Sequence, residues 1–420
     1  MHVPARLIIV CLLTSALIAS LTSCGGGSSS NSITPPPPSP PPAKTKYFAV
    51  ADMQNDRVLI YDAPFSTNQN ASVVLGQADF THGTVNQGVG AGANTLYGPT
   101  GVAVDASGNL YVSDGSNCRV LQFVPPFTNN MSAALVFGQS GMAQTSCKQG
   151  TGATASGLAG LQYAAVDSQG DLWVSDSLNA RILEYVPPFT SGMAATLAIG
   201  QNSTGAVPAT PCNQGAASPT ASTLCDPVGI AFDATGNLWT ADYLNDRVLE
   251  FKKPFTTGMA ASLELGQPLA TAFTSSASNN GGLSASTLYE SGALMFDSAG
   301  DLWVGDGRNS RVLEFVQPFS SGMSATLELG QSAATPFTTS GWSETQSGME
   351  YPFALSLDTE GDIFVSDFSY NRVMIFEPPF SNGMNATTVL GQASFTADGQ
   401  NQGGSIGPNT FYSPAGGVTF

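Results

Sequence analysis

The sequence predicts an all-β chain folded as a six-bladed β-propeller, and two observations carry that prediction. The phrase Leu-Gly-Gln recurs with the same neighbours, as Leu75-Gly76-Gln77, Leu265-Gly266-Gln267, Leu329-Gly330-Gln331 and Leu390-Gly391-Gln392, with the variants Phe137-Gly138-Gln139 and Ile199-Gly200-Gln201. The glutamines lie about 63 residues apart, and self-similarity on that scale marks one supersecondary unit copied around a ring or along a solenoid. Each copy also holds four short β-forming runs that are apolar on both faces, so each sheet must be sandwiched between copies of itself.

The first element precedes the repeats. Met1 to Arg6 are followed by an almost wholly apolar run, Leu7 to Leu21, too short for an ordinary membrane span and the right length for a signal peptide. It ends in Leu21-Thr22-Ser23-Cys24, which resembles the lipobox of bacterial lipoproteins. That resemblance implies cleavage of residues 1–23 and lipidation of Cys24. Residues 24–46 then read as a tether: Gly25 to Ser32 is Gly/Ser-rich, and Pro35 to Pro42 is nearly all proline, extended at ~3.1 Å per residue. Gly25 stands where an aspartate would retain a lipoprotein in the inner membrane. The expected location is therefore the outer membrane, facing periplasm or cell surface, with the lipid as the only membrane contact.

Residues 47–420 form the folded part. About 375 residues exceed the usual single-core domain, a limit that ring-shaped repeats escape. The net charge is −17 and only 10% of residues are charged, so Ser, Thr, Asn, Gln and Gly cover the surface. An acidic chain repels nucleic acid and anionic lipid at long range. Half of the basic residues beyond the leader sit at one repeated position, which leaves no basic patch.

Within one repeat, Val102-Ala103-Val104 is a strand apolar on both faces. Asp105-Ala106-Ser107-Gly108-Asn109 is a tight turn. Leu110-Tyr111-Val112-Ser113 is a second strand, and Asp114 to Asn117 the next turn. Arg119 to Val124 is a third strand stopped by Pro125-Pro126, and Ala134 to Gln139 holds a fourth. Tyr111 is matched by Trp173, Trp239, Trp303 and Phe364; their periodicity makes them filling between blades rather than a stacking row. The second turn follows an Asp-x-x-Asn-x-Arg pattern: Asp52/Asn55/Arg57, Asp114/Asn117/Arg119, Asp176/Asn179/Arg181, Asp242/Asn245/Arg247 and Asp306/Asn309/Arg311, with Asp367 and Arg372 in a sixth copy whose Asn is displaced to Asn371. Six identical pairs read as structure, each Asp capping its own turn and pairing with its Arg.

By these turns and this pattern, residues 47–420 resemble the NHL-repeat family of β-propellers. The Pro187-Pro188-Phe189…Gly192-Met193 element resembles bacterial members without an assigned activity. Amidating lyases of this fold use several histidines, and beyond the leader this chain has only His82. Lactonase-like six-bladed propellers use carboxylate and amide groups around a central calcium; the corresponding inner-strand residues here are Ala103, Ala165, Ala231, Met295, Ser356 and Thr419. RNA-binding members present a basic face, which an acidic chain lacks.

The ends predict the closure. The chain enters at Tyr47-Phe48-Ala49-Val50, equivalent to a second strand, and ends at Gly417-Val418-Thr419-Phe420, equivalent to an inner strand. One blade is therefore built from both termini, which removes free edges, with Val418 and Phe420 expected between the first and sixth blades. After each Gly-Gln comes a stretch of roughly twenty residues, long for a compact fold. These stretches carry their own pattern, such as Asn86-Gln87-Gly88, Asn213-Gln214-Gly215 and Asn401-Gln402-Gly403, and read as an ordered crown around the channel mouth.

Of six cysteines, Cys11 lies in the leader and Cys24 takes lipid. The other four enter an oxidising compartment and allow three pairings. Cys212 and Cys225 share a crown loop, while Cys118 and Cys147 lie on the same face of the second blade, so the expected bridges are Cys118–Cys147 and Cys212–Cys225.

No catalytic set is recognisable, and neither cofactor nor metal ligand set is expected. The residues of the crown that break the repeat, His82, Arg308, Trp342, Tyr243, Phe368 and Tyr370, are the candidates for ligand contact, with Trp342 foremost because an aromatic in a polar loop has no core to explain it. The expected function is a monomeric, lipid-anchored binding or scaffold module for a protein or glycan of the cell envelope. The alternatives are a lyase- or lactonase-like enzyme with a metal held by backbone and amide groups, and a structural envelope component without a discrete ligand. Cys24→Ala is expected to move the protein from the membrane to the soluble fraction; a variant that still pellets with membranes contradicts the lipobox reading.

Overall fold

The computed structural model describes residues 46–148 and 150–420. The leader, Cys24 and all of the tether but its last residue lie outside the described residues. The remainder forms six four-stranded antiparallel sheets, each inner strand touching the inner strands of the sheets before and after it, so that the sheets close a ring. The second blade consists of Pro99–Val104, Leu110–Asp114, Arg119–Phe123 and Leu135–Phe137, the four runs read from the sequence. The inner strands of blades three to six are Leu161–Val166, Pro227–Phe232, Ser291–Phe296 and Pro352–Leu357.

Blade one joins the termini. Pro414–Thr419 is its inner strand and pairs antiparallel with Tyr47–Asp52, with Val418 opposite Ala49 and Gly417 opposite Val50. Backbone bonds between Tyr47 and Phe420 run in both directions. Contrary to what the sequence predicts, Val418 and Phe420 do not lie between the first and sixth blades. Val418 and Phe420 pack on the side of blade two, with Val102, Val112 and Phe123 in the same cluster and Phe420 edge-on to Phe127 at 5.9 Å. Side chains alternate along a strand, and it is Thr419 that faces blade six, its hydroxyl 3.0 Å from that of Ser356.

The core lies between blades. Trp173 of blade three is buried in one cluster with Leu238, Leu249 and Phe251 of blade four, and Trp239 sits in one with Leu302 and Leu313 of blade five. Each indole also donates to the first-turn Asp of its own blade, as from Trp303 Nε1 to Asp297 at 3.0 Å. Those turns close as expected: Asp105 Oδ1 accepts from the backbone of Ser107 and Asn109.

The second-turn aspartates differ from the reading that each caps its own turn. Asp114 Oδ2 accepts from Asn117 at 2.8 Å and Arg119 at 2.7 Å, while Oδ1 accepts the backbone N–H of Tyr97, in the segment that feeds the blade's inner strand. The same carboxylate oxygen takes the N–H of Tyr412, Ala159, Cys225, Tyr289 and Glu350 in the other blades.

The arginines, too, do more than pair with their own Asp. Arg57 donates to the carbonyls of Phe80, Gly407 and Thr410, and Arg311 to those of Ser284 and Thr287. Arg181 shows the correction most fully. Its Nε holds Asp176 at 2.7 Å as expected, but Nη1 donates to the carbonyls of Thr204 and Gly205, and Nη2 to those of Thr154 and Gly157. Two crown loops thus meet on one guanidinium, which has donors to spare once Asp176 is bonded. In blades four and five a carboxylate replaces one carbonyl, with Arg247 on Glu264 and Arg311 on Glu328, both at 3.1 Å. In blade six Arg372 pairs with Asp367 at 2.9 Å and reaches the carbonyl of Gly348. Asp and Arg are both fully buried in all six copies.

The crown is ordered by two further devices. The Asn of the second turn exchanges amide bonds with the Asn of the crown pattern, Asn117 with Asn86 and Asn245 with Asn213. The Gln of the Leu-Gly-Gln phrase donates inward, Gln77 to the carbonyls of Asp56 and Thr84. Disulfides join Cys118 to Cys147 and Cys212 to Cys225, with Cα separations of 5.3 and 4.3 Å.

Deleting Tyr412 to Phe420 removes the inner strand of blade one, the N–H that Asp52 accepts and the apolar contacts of Val418 and Phe420. Buried amides left unpaired cost about 1–3 kcal/mol each, a large share of the roughly 5–15 kcal/mol that stabilises a domain. That truncation is expected to lower the melting temperature sharply, whereas deleting Gly25 to Ala43 is expected to leave it unchanged, both in chains lacking residues 1–24. Equal melting of the C-terminal truncation and its parent contradicts this closure.

Candidate functional site

The channel mouth is where the ring stops being symmetric. Just before each inner strand stands one residue at the same place in the repeat: Ser413, Gly98, Gly160, Asp226, Glu290 and Tyr351 for blades one to six. Five of them take the left-handed conformation that turns the crown into the blade, with φ of 56° at Ser413, Gly98 and Asp226, 64° at Gly160 and 50° at Glu290. The backbone is thus repeated and the side chains are not.

Glu290 is the hub of the charged side. One of its carboxylate oxygens lies 2.7 Å from Tyr243 Oη, 2.9 Å from Tyr351 Oη and 2.7 Å from Arg308 Nε. The two tyrosine hydroxyls are 2.5 Å apart. Tyr243 comes from the second turn of blade four and Arg308 from that of blade five; Glu290 and Tyr351 stand at the mouth position of blades five and six. Three oxygens therefore meet pairwise with two hydroxyl protons to share. Burial works to raise the Glu290 carboxyl, but the bonds from Tyr243, Arg308 and Tyr351 outweigh it and hold the group below its usual range. Burial pushes both tyrosines up, so they act as neutral donors. The Arg308 guanidinium lies 5.7 Å above the Tyr351 ring, half exposed at 56%. Among the described residues its two terminal nitrogens have no partner.

Aromatic rings continue inward from this cluster. Tyr351 stacks on Phe353 at 5.9 Å, and Phe368 lies 6.3 and 5.6 Å from the two. Tyr163 of blade three crosses the channel, its hydroxyl 2.6 Å from the carbonyl of Phe353 on blade six and 3.3 Å from that of Ala415 on blade one. The other five blades have Gly101, Gly229, Ala293, Ala354 and Gly416 at this place. The axis is therefore plugged beneath the mouth. On the side of Gly98 and Gly160 the missing side chains leave a cleft of ≈ 620 Å³, lined also by Met53, Asp56, Tyr97 and Thr100. Burial raises the Asp56 carboxyl to about 6, against the pull of the Gly98 N–H.

Of the residues singled out in the sequence, Tyr243, Arg308 and Phe368 come together here. Trp342 does not: it stands 67% exposed over a separate crown cleft of ≈ 590 Å³ formed mostly by Ser, Thr and Gly residues. His82 is exposed and bonded to Asp79 at 2.7 Å within its own loop. Tyr370 is buried beneath Arg372, 5.1 Å from the guanidinium. The repeated pairs, Asp176 with Arg181 among them, are closed to solvent and present no side-chain surface to a ligand. Glu290, Tyr351, Phe353 and Tyr163 were not singled out, although comparing the mouth position across the copies would have found the first two. On the opposite face, oxygens of Asp297, Asp301 and Glu314 approach within 4.8 Å of one another, but turn N–H groups and Trp303 already bond Asp297 and Thr326 bonds Glu314. That grouping is explained by the turn it closes.

The NHL-repeat family model matches residues 96–123. Among curated proteins no sequence matches the chain. Among solved structures the chain is similar to a protein of unknown function from Bacteroides caccae, at 7% identity and a TM-score of 0.51, over 90% of this chain and 99% of that one. It is also similar to a streptogramin B lyase, at 11% identity and a TM-score of 0.38 over 68% and 70% of the two chains. A third is a gluconolactonase from Xanthomonas campestris, at 15% identity and 0.39 over 81% and 83%. At 7% identity the likeness to the Bacteroides caccae protein is one of fold.

Proposed function

We propose that this six-bladed NHL-repeat propeller is a cell-envelope binding module, carried on a lipid at Cys24, that takes up a glycan at the mouth of its channel. The observation that carries the reading is the Tyr243–Glu290–Arg308–Tyr351 cluster beside the Phe353 and Phe368 rings. Sugars offer apolar faces and a rim of hydroxyls, and this wall answers both, with aromatic faces for stacking and fixed donors and acceptors for the rim. Its placement supports the reading as well: it occupies the part of the mouth where bulky and charged side chains replace glycine, across the ring from the cleft that the glycines leave open. The long tether would give such a module reach from a membrane surface to an envelope polymer. The alternative of an enzyme with an axial metal finds less support, because Tyr163 reaches across the axis and its hydroxyl bonds the Phe353 carbonyl.

Co-sedimentation with isolated peptidoglycan sacculi tests the reading. Tyr351→Ala is expected to reduce the pelleted fraction about tenfold, the scale of losing one well-placed polar and stacking contact, while Trp342→Ala, at a separate cleft, is expected to pellet like the parent. A folded Tyr351→Ala protein that pellets as well as the parent overturns it.

A further inference from the structure

Resting on that glycan reading, we infer that the Arg308 side chain is a carboxylate receptor, so that the preferred ligand is an acidic sugar carrying an isolated carboxylate. Six of the seven described arginines are fully buried against their own aspartates; Arg308 is the seventh and stands half exposed at the mouth. The places equivalent to it in the other turns hold Gln54, Ser116, Leu178, Leu244 and Ser369, so the repeat does not require an arginine there.

The side chain is held for a task that uses its far edge. Glu290 fixes Nε at 2.7 Å and the guanidinium carbon lies 5.7 Å over the Tyr351 ring. Those two contacts hold the side chain in place, and neither uses its terminal nitrogens. An arginine edge presented in this way matches the two oxygens of a carboxylate in parallel bonds. Glu290 itself cannot serve as that carboxylate for both nitrogens, since its bonded oxygen already meets two tyrosine hydroxyls and Nε. The rings of Tyr351, Phe353 and Phe368 would lie beside the sugar to which the carboxylate belongs.

The wider field narrows the ligand further. A chain of net charge −17 repels dense polyanions at long range. Asp226 holds the neighbouring mouth position, and Glu350 immediately precedes Tyr351. One receptor arginine in such surroundings suits a sugar with a single carboxylate in a largely neutral chain, and not a run of phosphates or sulfates.

The full-length protein in detergent is titrated by calorimetry with methyl β-glucuronoside and methyl β-glucoside, which differ only in a carboxylate against a hydroxymethyl group. The glucuronoside is expected to bind about tenfold more tightly, the scale of a charge-assisted bidentate contact. Arg308→Gln is expected to abolish that preference at unchanged melting temperature, and Arg308→Lys, which keeps the charge without the fork, to lose most of it. Equal affinities in the parent, or a preference that survives Arg308→Gln, overturns the inference. Failure of both sugars to bind also overturns it; the glycan reading then stands if sacculi are still pelleted through Tyr351 and falls with it if they are not.

Discussion

The buried Asp–Arg pair of each second turn is the interaction on which the rest of the molecule depends. A guanidinium cannot give up its proton, so a neutral Asp partner would leave an uncompensated cation in the core. Burial pushes the Asp carboxyl up and the adjacent Arg opposes it. Net stabilisation from such a pair is modest, because desolvation offsets much of the attraction, while removal of one partner costs about 3–5 kcal/mol. The value of the pair lies in what else it holds. One carboxylate oxygen takes the N–H of the segment entering the inner strand, and the guanidinium takes carbonyls of the crown. The charges are thus the pins that turn long polar loops into a fixed surface.

That fixed surface explains how a repeat can carry a single site. Six copies of one backbone leave six equivalent places at the mouth, and the proposed site lies where their side chains diverge. Glycines on one side open a cleft, while Glu290 and Tyr351 on the other reach toward the turn of the preceding blade. Tyr163 adds a second break by filling the channel where other blades need a small residue; at Gly229 a Cβ would lie 2.3 Å from the Gly292 carbonyl. Because the pins are common to all six blades and the Asn–Asn exchanges to four, the mouth can vary without loosening the ring.

The fold was legible because its determinants are local and repeated. Strand lengths, turn residues and the closure by Tyr47 and Phe420 all follow from periodicity, and so did both disulfides, whose cysteines share a face. The side toward which Val418 and Phe420 point was misjudged, since strand parity decides it and a terminal strand offers no following turn to fix the phase. The repeated pairs were half legible. The bonds of Asp114 to Arg119 and of Asp176 to Arg181 follow from spacing, but the Tyr97 N–H on Asp114 and the four crown carbonyls on Arg181 depend on where the long loops return. The site was the least legible part. Arg308, Tyr243 and Phe368 stood out as departures from the repeat, whereas Glu290 looked like one more polar residue before a strand. Its importance arises from three blades converging at the axis, a relation that no spacing within one repeat encodes. Trp342 stood out for the opposite reason, as an aromatic in a polar loop, and the ring places it away from that convergence.

The buried pair of each blade pins the crown above it. Amide hydrogen exchange of Arg311→Met measures this most directly. Arg311 holds the carbonyls of Ser284 and Thr287, and Asp306 takes the Tyr289 N–H. Amides of residues 284–290 are expected to lose protection in the variant, while Leu110–Asp114 on a distant blade keeps it. Unchanged protection across residues 284–290 in a folded Arg311→Met protein would contradict the claim.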